Sequence, residues 1–215
     1  MRRVIVGLFL VSVLAPAASA QTGKLFALGG GLSGHKYTGS DFTAYKNPSI
    51  SVDYRISFSR NPKQGWKWEP KIGFSWFQAN TDMAVGGLDT RIGRLRARPF
   101  MAGIERAYRN GPMKVGVSIV GGPSFNHFFV SDDARVAYAT QLGQNLTSIK
   151  PKTSFAVRPE LSVWYDLGKW FAVHASFNYI LDRPTVETTA GGTTTSDRWK
   201  TDHFNFHIGV VVGIF

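Results

Sequence analysis

The chain has 215 residues, of which 13% are aromatic and 23 are glycine, with no cysteine and a formal net charge of +11. That length suits one domain, and the lack of cysteine excludes a disulfide scaffold, so stability must come from packing and hydrogen bonding. A sequence pI near 10.1 would fit a nucleic-acid binder, but no basic helix or aromatic stacking module accompanies it, which argues against nucleic acid as a partner.

Residues 1–20, MRRVIVGLFLVSVLAPAASA, place Arg2 and Arg3 before an apolar run and Ala18-Ser19-Ala20 before Gln21. This is the pattern of a cleaved secretory signal peptide. The run from Val4 to Leu14 is too short to span a bilayer, and Pro16 breaks its continuation. Cleavage after Ala20 lowers the formal charge from +11 to +9 and leaves residues 21–215 as the mature domain. Nothing later in the chain offers the roughly 20 consecutive apolar residues of a spanning helix. A mean hydropathy of −0.10 is compatible with a soluble protein, and equally with a membrane barrel in which every second residue faces inward.

From Gly23 onward, eight segments alternate with period two, the signature of extended strands. They cover about 24–34, 48–60, 66–79, 93–109, 113–130, 153–167, 170–186 and 198–215. In the second segment, Ile50, Val52, Tyr54, Ile56 and Phe58 share one face, and Ser51, Asp53, Arg55 and Ser57 the other. The third sets Trp68, Ile72, Phe74 and Trp76 against Lys67, Glu69 and Lys71. The fourth changes pattern around Pro99, with Arg94, Arg96 and Arg98 before it and Phe100 to Ile104 after it. The sixth sets Phe155, Val157, Leu161, Val163 and Tyr165 against Ser154, Arg158, Glu160, Ser162 and Asp166. The seventh sets Phe171, Val173, Phe177 and Tyr179 against His174, Ser176 and Asn178, and the eighth aligns Phe204, Phe206, Ile208, Val210 and Val212.

The connections alternate in length. Short turns at Asn61-Pro62-Lys63-Gln64-Gly65, Asn110-Gly111-Pro112 and Gly168-Lys169 alternate with longer stretches at about 35–47, 80–92, 131–152 and 187–197. Within the third long stretch, Asp132 to Leu146 has an acidic start and the composition of a short helix.

The mid-strand charges decide what the apolar faces meet. Asp53, Arg55, Glu69, Lys71, Arg94, Arg96, Arg98, Arg158, Glu160 and Asp166 lie opposite the apolar sets, and a charge at the bilayer centre costs about 2–4 kcal/mol. They are therefore expected inside, with the apolar faces toward lipid. A soluble lipocalin-like barrel would have the reverse arrangement.

With the signal pattern, eight alternating strands, alternating turn lengths and a C-terminal Phe215, the mature chain resembles the small outer-membrane β-barrels, namely the OmpA transmembrane domain and the OmpX-like and OmpW-like proteins. The resemblance implies an all-β, eight-stranded antiparallel up-and-down transmembrane β-barrel in the outer membrane of a Gram-negative bacterium, with both termini in the periplasm. It implies that Phe215 belongs to the signal read by the barrel assembly machinery. Counting back from Phe215 gives Gly213, Val211, Gly209 and His207, whereas the apolar set has the other parity, so either Gly213 hosts a bulge or the facing differs from the family's. Pro70, Pro99 and Pro159 interrupt proposed strands, and bulges are expected there.

An eight-stranded barrel is just wide enough to be filled by side chains, so ion pairing across the lumen is the expected role of the inward charges. A sharper alternative is an anion-preferring path lined by the arginines of the fourth segment. Toward the long connections, Lys36, Lys46, Arg91, Arg135, Lys150, Lys152, Arg183, Arg198 and Lys200 form a basic set that could contact lipopolysaccharide phosphates. His174-Ala175-Ser176 is similar to the His-x-Ser of outer-membrane lipid A deacylases, but its parity turns it into the lumen and no acid is placed beside it. His203 and His207 are four apart on a strand, without the further ligands that zinc would need, and nothing in the chain calls for a cofactor. The expected function is thus a structural or surface-interaction barrel with a filled lumen, whose four long loops meet a partner the sequence does not name. A narrow channel for small solutes and a lipid A-modifying enzyme are the alternatives.

Overall fold

A computed structural model describes residues 27–38, 42–44, 49–51, 54–55, 64–168 and 171–213. The signal-like segment 1–20, Lys46, Asp53, Asn61-Pro62-Lys63 and Phe215 lie outside them. In chain order the elements are β1 (Ala27–Tyr37), β2 (Phe42–Ala44), β3 (Ser49–Ser51), β4 (Tyr54–Arg55), β5 (Gly65–Phe74), β6 (Phe77–Val85), β7 (Leu88–Asn110) and β8 (Met113–Val130). They continue with α1 (Asp132–Leu142), β9 (Leu146–Pro151), β10 (Ser154–Asp166), β11 (Phe171–Ile180), β12 (Thr185–Ala190), β13 (Thr193–Arg198) and β14 (His203–Gly213).

One antiparallel sheet runs β2, β6, β7, β8, β10, β11, β14, β1, β3, with β5 extending the β6 side of β7 and β4 extending the β3 side of β1. Taken together as β1, β3/β4, β5/β6, β7, β8, β10, β11 and β14, these are eight staves in up-and-down order. The last stave pairs with the first from Ala27 opposite Gly213 to Tyr37 opposite His203, and β4 lies alongside β5. The fold is an all-β, eight-stranded antiparallel barrel.

The tight turn at Gly111-Pro112 joins β7 to β8, and Leu167 N–H donates to Phe171 O across the next short connection. At the opposite end three of the stretches expected to be long loops, 80–92, 131–152 and 187–197, are ordered. β6 and β7 run on to a two-residue turn at Gly86-Gly87, and β12 and β13 close at Gly191-Gly192, all four glycines having positive φ. Residues 80–92 and 187–197 are thus hairpins. The helix begins at Ser131, whose Oγ accepts from Ala134 N–H at 3.1 Å, and ends at left-handed Gly143, short of the expected Leu146.

The alternation of faces follows the sequence in most staves. On β10, Phe155 is 68% exposed on the outer surface while Arg158 is 1% exposed inside. β11 and β14 turn Phe171, Phe177, Phe204, Phe206 and Ile208 outward, and His174, Ser176, Asn178, Asn205 and His207 inward. Pro70 and Pro159 sit in continuous register, opposite Ile104 and Ile119, without the expected bulges. Pro159 instead leaves a gap on its other side: the β10–β11 ladder stops at Glu160–Asn178 and resumes only as the bridge Val157–Leu181. Of the two pairs skipped, Pro159 with Tyr179 and Arg158 with Ile180, the first would need the N–H that proline lacks. Pro99 lies where β5 passes to β6, and its carbonyl accepts from Ser75 N–H at 3.1 Å.

β7 overturns the expected facing of the fourth segment. Its even residues point outward along most of the strand: Tyr108, Ile104 and Phe100 are exposed, followed by exposed Arg98 and half-buried Arg96 and Arg94. Its odd residues, Glu105, Met101, Ala97 and Leu95, are buried. The reason is where the strand stands. A tilted strand advances about 2.5 Å per residue along the barrel axis, so an apolar band about 25 Å tall spans about ten residues. Counted from Tyr108 in the girdle near the short turns, that reaches Arg98. Beyond it the outside is aqueous and the inside is a protein core, so the preferred faces exchange without any change of phase. β6 agrees, with Phe77 and Ala79 buried inside and Gln78 half-buried opposite Arg96.

The interior beyond the band is an apolar core. Phe42, Ile92, Leu95, Phe128, Leu146, Ile149, Val186 and Trp199 pack together there, with Ala134 of α1. Trp199 meets Phe42 and Phe128 edge-on at 5.7 and 5.2 Å. A bulge admits one of these residues: Thr81 lies opposite Gly93 but Asp82 opposite Arg91, so Ile92 is extra and turns inward beside Gly93.

Ile104→Arg, at mid-band on the outer face, should destabilise the barrel by about 2–4 kcal/mol, and Gln78→Arg, beyond the band, by less than about 1 kcal/mol. Urea unfolding in phospholipid vesicles measures both, and equal costs would contradict the assigned band.

Candidate functional site: the charged lumen and its outer collar

Inward side chains from four staves meet in a chain of alternating charge. Arg158 of β10 donates from Nη1 to Ser75 Oγ at 2.8 Å, and its Nε lies 3.4 Å from Glu160 Oε2. Glu160 Oε1 accepts from Lys71 Nζ of β5 at 2.7 Å, and Lys71 also donates to Ser118 Oγ of β8 at 2.8 Å. Lys71 stands 3.8 Å from Glu105 of β7, whose other oxygen accepts from Lys114 of β8 at 2.6 Å. Lys114 closes the run on Glu69 of β5, also at 2.6 Å. Nearer the short turns, Arg109 and Asp166 pair at 3.4 Å. Because β7 and β8 separate β5 from β10 in the sheet, the Lys71–Glu160 contact spans the lumen.

The backbone makes room for this chain at two glycines on the inner face. A Cβ on Gly73 would come within 2.7 Å of Arg158 Nη2, and one on Gly116 within 2.6 Å of Glu105 Oε1. Each charge is shielded from water but faces an opposite charge, the condition under which a buried ion pair is tolerated. The eight groups Lys71, Arg109, Lys114, Arg158, Glu69, Glu105, Glu160 and Asp166 balance at four of each sign.

Above the charges, Met101, Val120 and Ala156 form a small apolar cluster, and beyond them Phe77 packs edge-on against His203 at 4.4 Å. A polar collar then ties the staves under the outer core. Asp182 accepts from Ser124 at 2.7 Å and from Ser154, while Asp202 accepts from Arg183 Nη2 at 2.8 Å and from the N–H of Asp182 at 3.1 Å. Asp202 O accepts from Thr38 N–H at 3.0 Å, which joins the collar to the end of β1. In this connection beyond β11, burial raises the Asp182 carboxyl above its ordinary range. Hydrogen bonds from Ser154 and Ser124 pull it down, and the Asp202 charge pushes it up.

Of the charges expected in the lumen, Glu69, Lys71, Arg158, Glu160 and Asp166 are there. Arg94, Arg96 and Arg98 are not: they stand on the outer face, so they line no path through the barrel. Asp53 is outside the described residues, and Arg55 is placed only as backbone in β4. Glu105, Lys114 and Arg109 were missed. Glu105 was hidden by the misassigned facing of β7, whereas Lys114 shares its parity with Gly116, Ser118, Gly122 and Ser124, a small and polar face legible in the sequence.

The basic set near the long connections is dispersed, and several members already have carboxylate partners. Arg91 pairs with Asp82 at 3.2 Å, Arg135 with Asp132 at 3.6 Å, Lys152 with Glu187, and Arg183 with Asp202. Lys36 is exposed on the outer side of β1, Lys150, Arg198 and Lys200 are exposed, and Lys46 is outside the described residues. His174 and Ser176 are both buried in the lumen, His174 against Trp164 at 4.5 Å and His207 at 5.4 Å. His207 Nδ1 lies 3.0 Å from Ser33 Oγ, and His203 packs against His35 at 5.2 Å, so the two histidines of β14 belong to separate clusters.

No family profile and no curated protein matches the chain. Among solved structures it is similar to the outer membrane protein OprG from Pseudomonas aeruginosa, with 14% identity and a TM-score of 0.61 over 88% of this chain and 96% of that one. It is also similar to the outer membrane protein AlkL, solved in DMPC lipid bilayers, with 16% identity and a TM-score of 0.52 over 88% of this chain and 90% of that one. At these identities the likeness is one of fold. The fold is that of the small outer-membrane β-barrels, as the resemblance in sequence pattern implied.

Lys71→Met leaves Glu160 and Glu105 buried beside each other and should destabilise the barrel by roughly 3–5 kcal/mol. Adding Glu160→Leu should cost less than the sum of the two single changes. Urea unfolding measures this, and strict additivity would contradict a shared network. For Asp182, a folded-state pKa above the unfolded one means that its stabilising contribution is present at low pH and lost as pH rises through the folded value. The stability of Asp182→Asn relative to the parent should therefore climb with pH, and a parent that gains on the variant would contradict the raised pKa.

Proposed function

We propose that the protein is an outer-membrane barrel of a Gram-negative bacterium whose lumen is closed by side chains, and whose role is structural or surface-interacting. The observation that carries this reading is the run Arg158–Glu160–Lys71–Glu105–Lys114–Glu69 across the interior, with an apolar core stacked beyond it. An ion entering the barrel would have to break these pairs and then cross apolar side chains, two successive barriers to conduction. The short turns would face the periplasm together with both termini, and the ordered cap of α1, β9, β12 and β13 would face outward. That cap, in place of free loops at 131–152 and 187–197, is the surface offered to partners. The barrel assembly machinery would be met through the C-terminal strand.

Supporting a non-enzymatic reading, His174 and Ser176 point into the filled lumen and away from lipid, where an acyl substrate would be. A narrow channel is the second reading, and the absence of an inward arginine row removes the feature that favoured it.

Planar-bilayer recordings of the purified full-length chain should show no steady openings at physiological salt. Stable single-channel conductance, altered by Lys71→Ala, would contradict the closed lumen and favour the channel.

A further inference from the structure

The outer face of β7 carries a row of arginines that the closed-lumen reading does not use. Arg96 Cζ lies 4.7 Å from the Phe129 ring centroid and 5.4 Å from that of Trp76; Arg98 lies 5.1 Å from Trp76, and Arg94 5.2 Å from Phe129. His127 stands on the same outer face, edge-on to Phe129 at 4.5 Å. Stacking of this kind holds a guanidinium by its faces and leaves its N–H edges to find acceptors elsewhere. Among the described residues neither Arg96 nor Arg98 has a carboxylate partner, and Arg96 Nε has no hydrogen-bond acceptor. Arg91, Arg135 and Arg183, by contrast, are each paired with a carboxylate.

The position of the row selects its ligand. It begins where the apolar outer band ends, one outward residue beyond Phe100, and from Arg98 to Arg94 it rises about 13 Å along the extended strand, enough for two phosphate groups. Directly below are the exposed apolar side chains Phe100 and Ile104, and exposed Phe125 lies beside Arg98 on β8. A ligand that fits both zones has acyl chains against the band and phosphate at its edge, which is the chemistry of a phosphorylated lipid and not that of a free anion. Planar guanidinium groups bind phosphate oxygens in bidentate fashion.

We propose that Arg96 and Arg98, stacked on Trp76 and Phe129 with Arg94 at the flank, form a binding site for the phosphate groups of outer-leaflet lipopolysaccharide. The site rests on the outer-membrane reading, with the short turns on the periplasmic side. It differs from the dispersed basic set of the cap, which lies beyond the acyl chains and of which Arg91, Arg135, Lys152 and Arg183 are paired within the protein.

The test uses the full-length protein in phosphatidylcholine nanodiscs titrated with fluorescent bis-phosphorylated lipid A, its dephosphorylated form, or inorganic phosphate. The parent should bind the bis-phosphorylated lipid at least about tenfold more tightly than the dephosphorylated one, and Arg96→Gln/Arg98→Gln should lose about tenfold or more of that affinity, from two charges at a membrane surface. Arg135→Gln/Arg198→Gln on the cap should bind as the parent does. Equal binding by the Arg96→Gln/Arg98→Gln variant, or equal binding of the dephosphorylated lipid, overturns the proposal. Inorganic phosphate that displaces the lipid at comparable concentration overturns the lipid as its source. Heat-modifiable gel mobility of every variant is recorded alongside. A parent without it refutes the barrel reading, and a variant that loses it is replaced by the single changes Arg96→Gln and Arg98→Gln, read against the same two outcomes.

Discussion

Every strand of this barrel separates two media, and the medium on its outer side changes once along its length. Within the apolar band the outside accepts only apolar side chains, and the inside must hold the charged and polar remainder. Past the band the outside is wet and the enclosed space becomes a protein core. β7 crosses that boundary between Phe100 and Arg98 while its residues keep strict alternation, so one strand is membrane-like over one part and like a soluble barrel over the other. The positions of the lumen charges, the outer core and the arginine row all result from this one change of surroundings.

Inside the band, the enclosed charges are arranged so that each has an opposite neighbour. The order Arg158, Glu160, Lys71, Glu105, Lys114, Glu69 alternates in sign and draws on β10, β5, β7 and β8, so it cross-links staves that are not adjacent in the sheet. Such an arrangement confers little net stability relative to an apolar filling, but it penalises any shift in register, because a strand displaced by one residue would carry its charge into lipid. Gly73 and Gly116 show the same constraint from the backbone side, since a methyl group at either position would press on the Arg158 guanidinium or the Glu105 carboxylate. The apolar layer above excludes water from the outer end, and the Asp182–Asp202 collar joins the two regions through β1, β8, β10 and β14.

Much of this was legible in the sequence because period two is a strong signal when the medium on each side is constant. β10, β11 and β14 show it without interruption, and Glu160, Arg158 and Asp166 were assigned to the lumen from parity alone. β7 was misread for the same reason. A rule that sends charge inward holds only within the band, and the alternation of Arg94, Arg96 and Arg98 carries no mark of where the band ends. The compensating signal was present in the other parity, where Leu95, Ala97 and Met101 are apolar and fill a core. The long connections were misread because glycine pairs at 86–87 and 191–192 allow two-residue turns inside stretches whose polar composition suggests loops. The pairing of Lys71 with Glu160 depends on staves meeting across a closed interior, and local sequence contains no trace of that.

The native chain lacks cysteine, so single cysteines can be placed along β7 and labelled with a nitroxide whose depth is measured in lipid vesicles. Labels at Phe100 and Ile104 should be immersed among acyl chains and a label at Arg96 accessible to an aqueous relaxant, with a label at Leu95 shielded from both media. Acyl-chain immersion at Leu95, or loss of aqueous access at Arg96, would contradict that change of surroundings along β7.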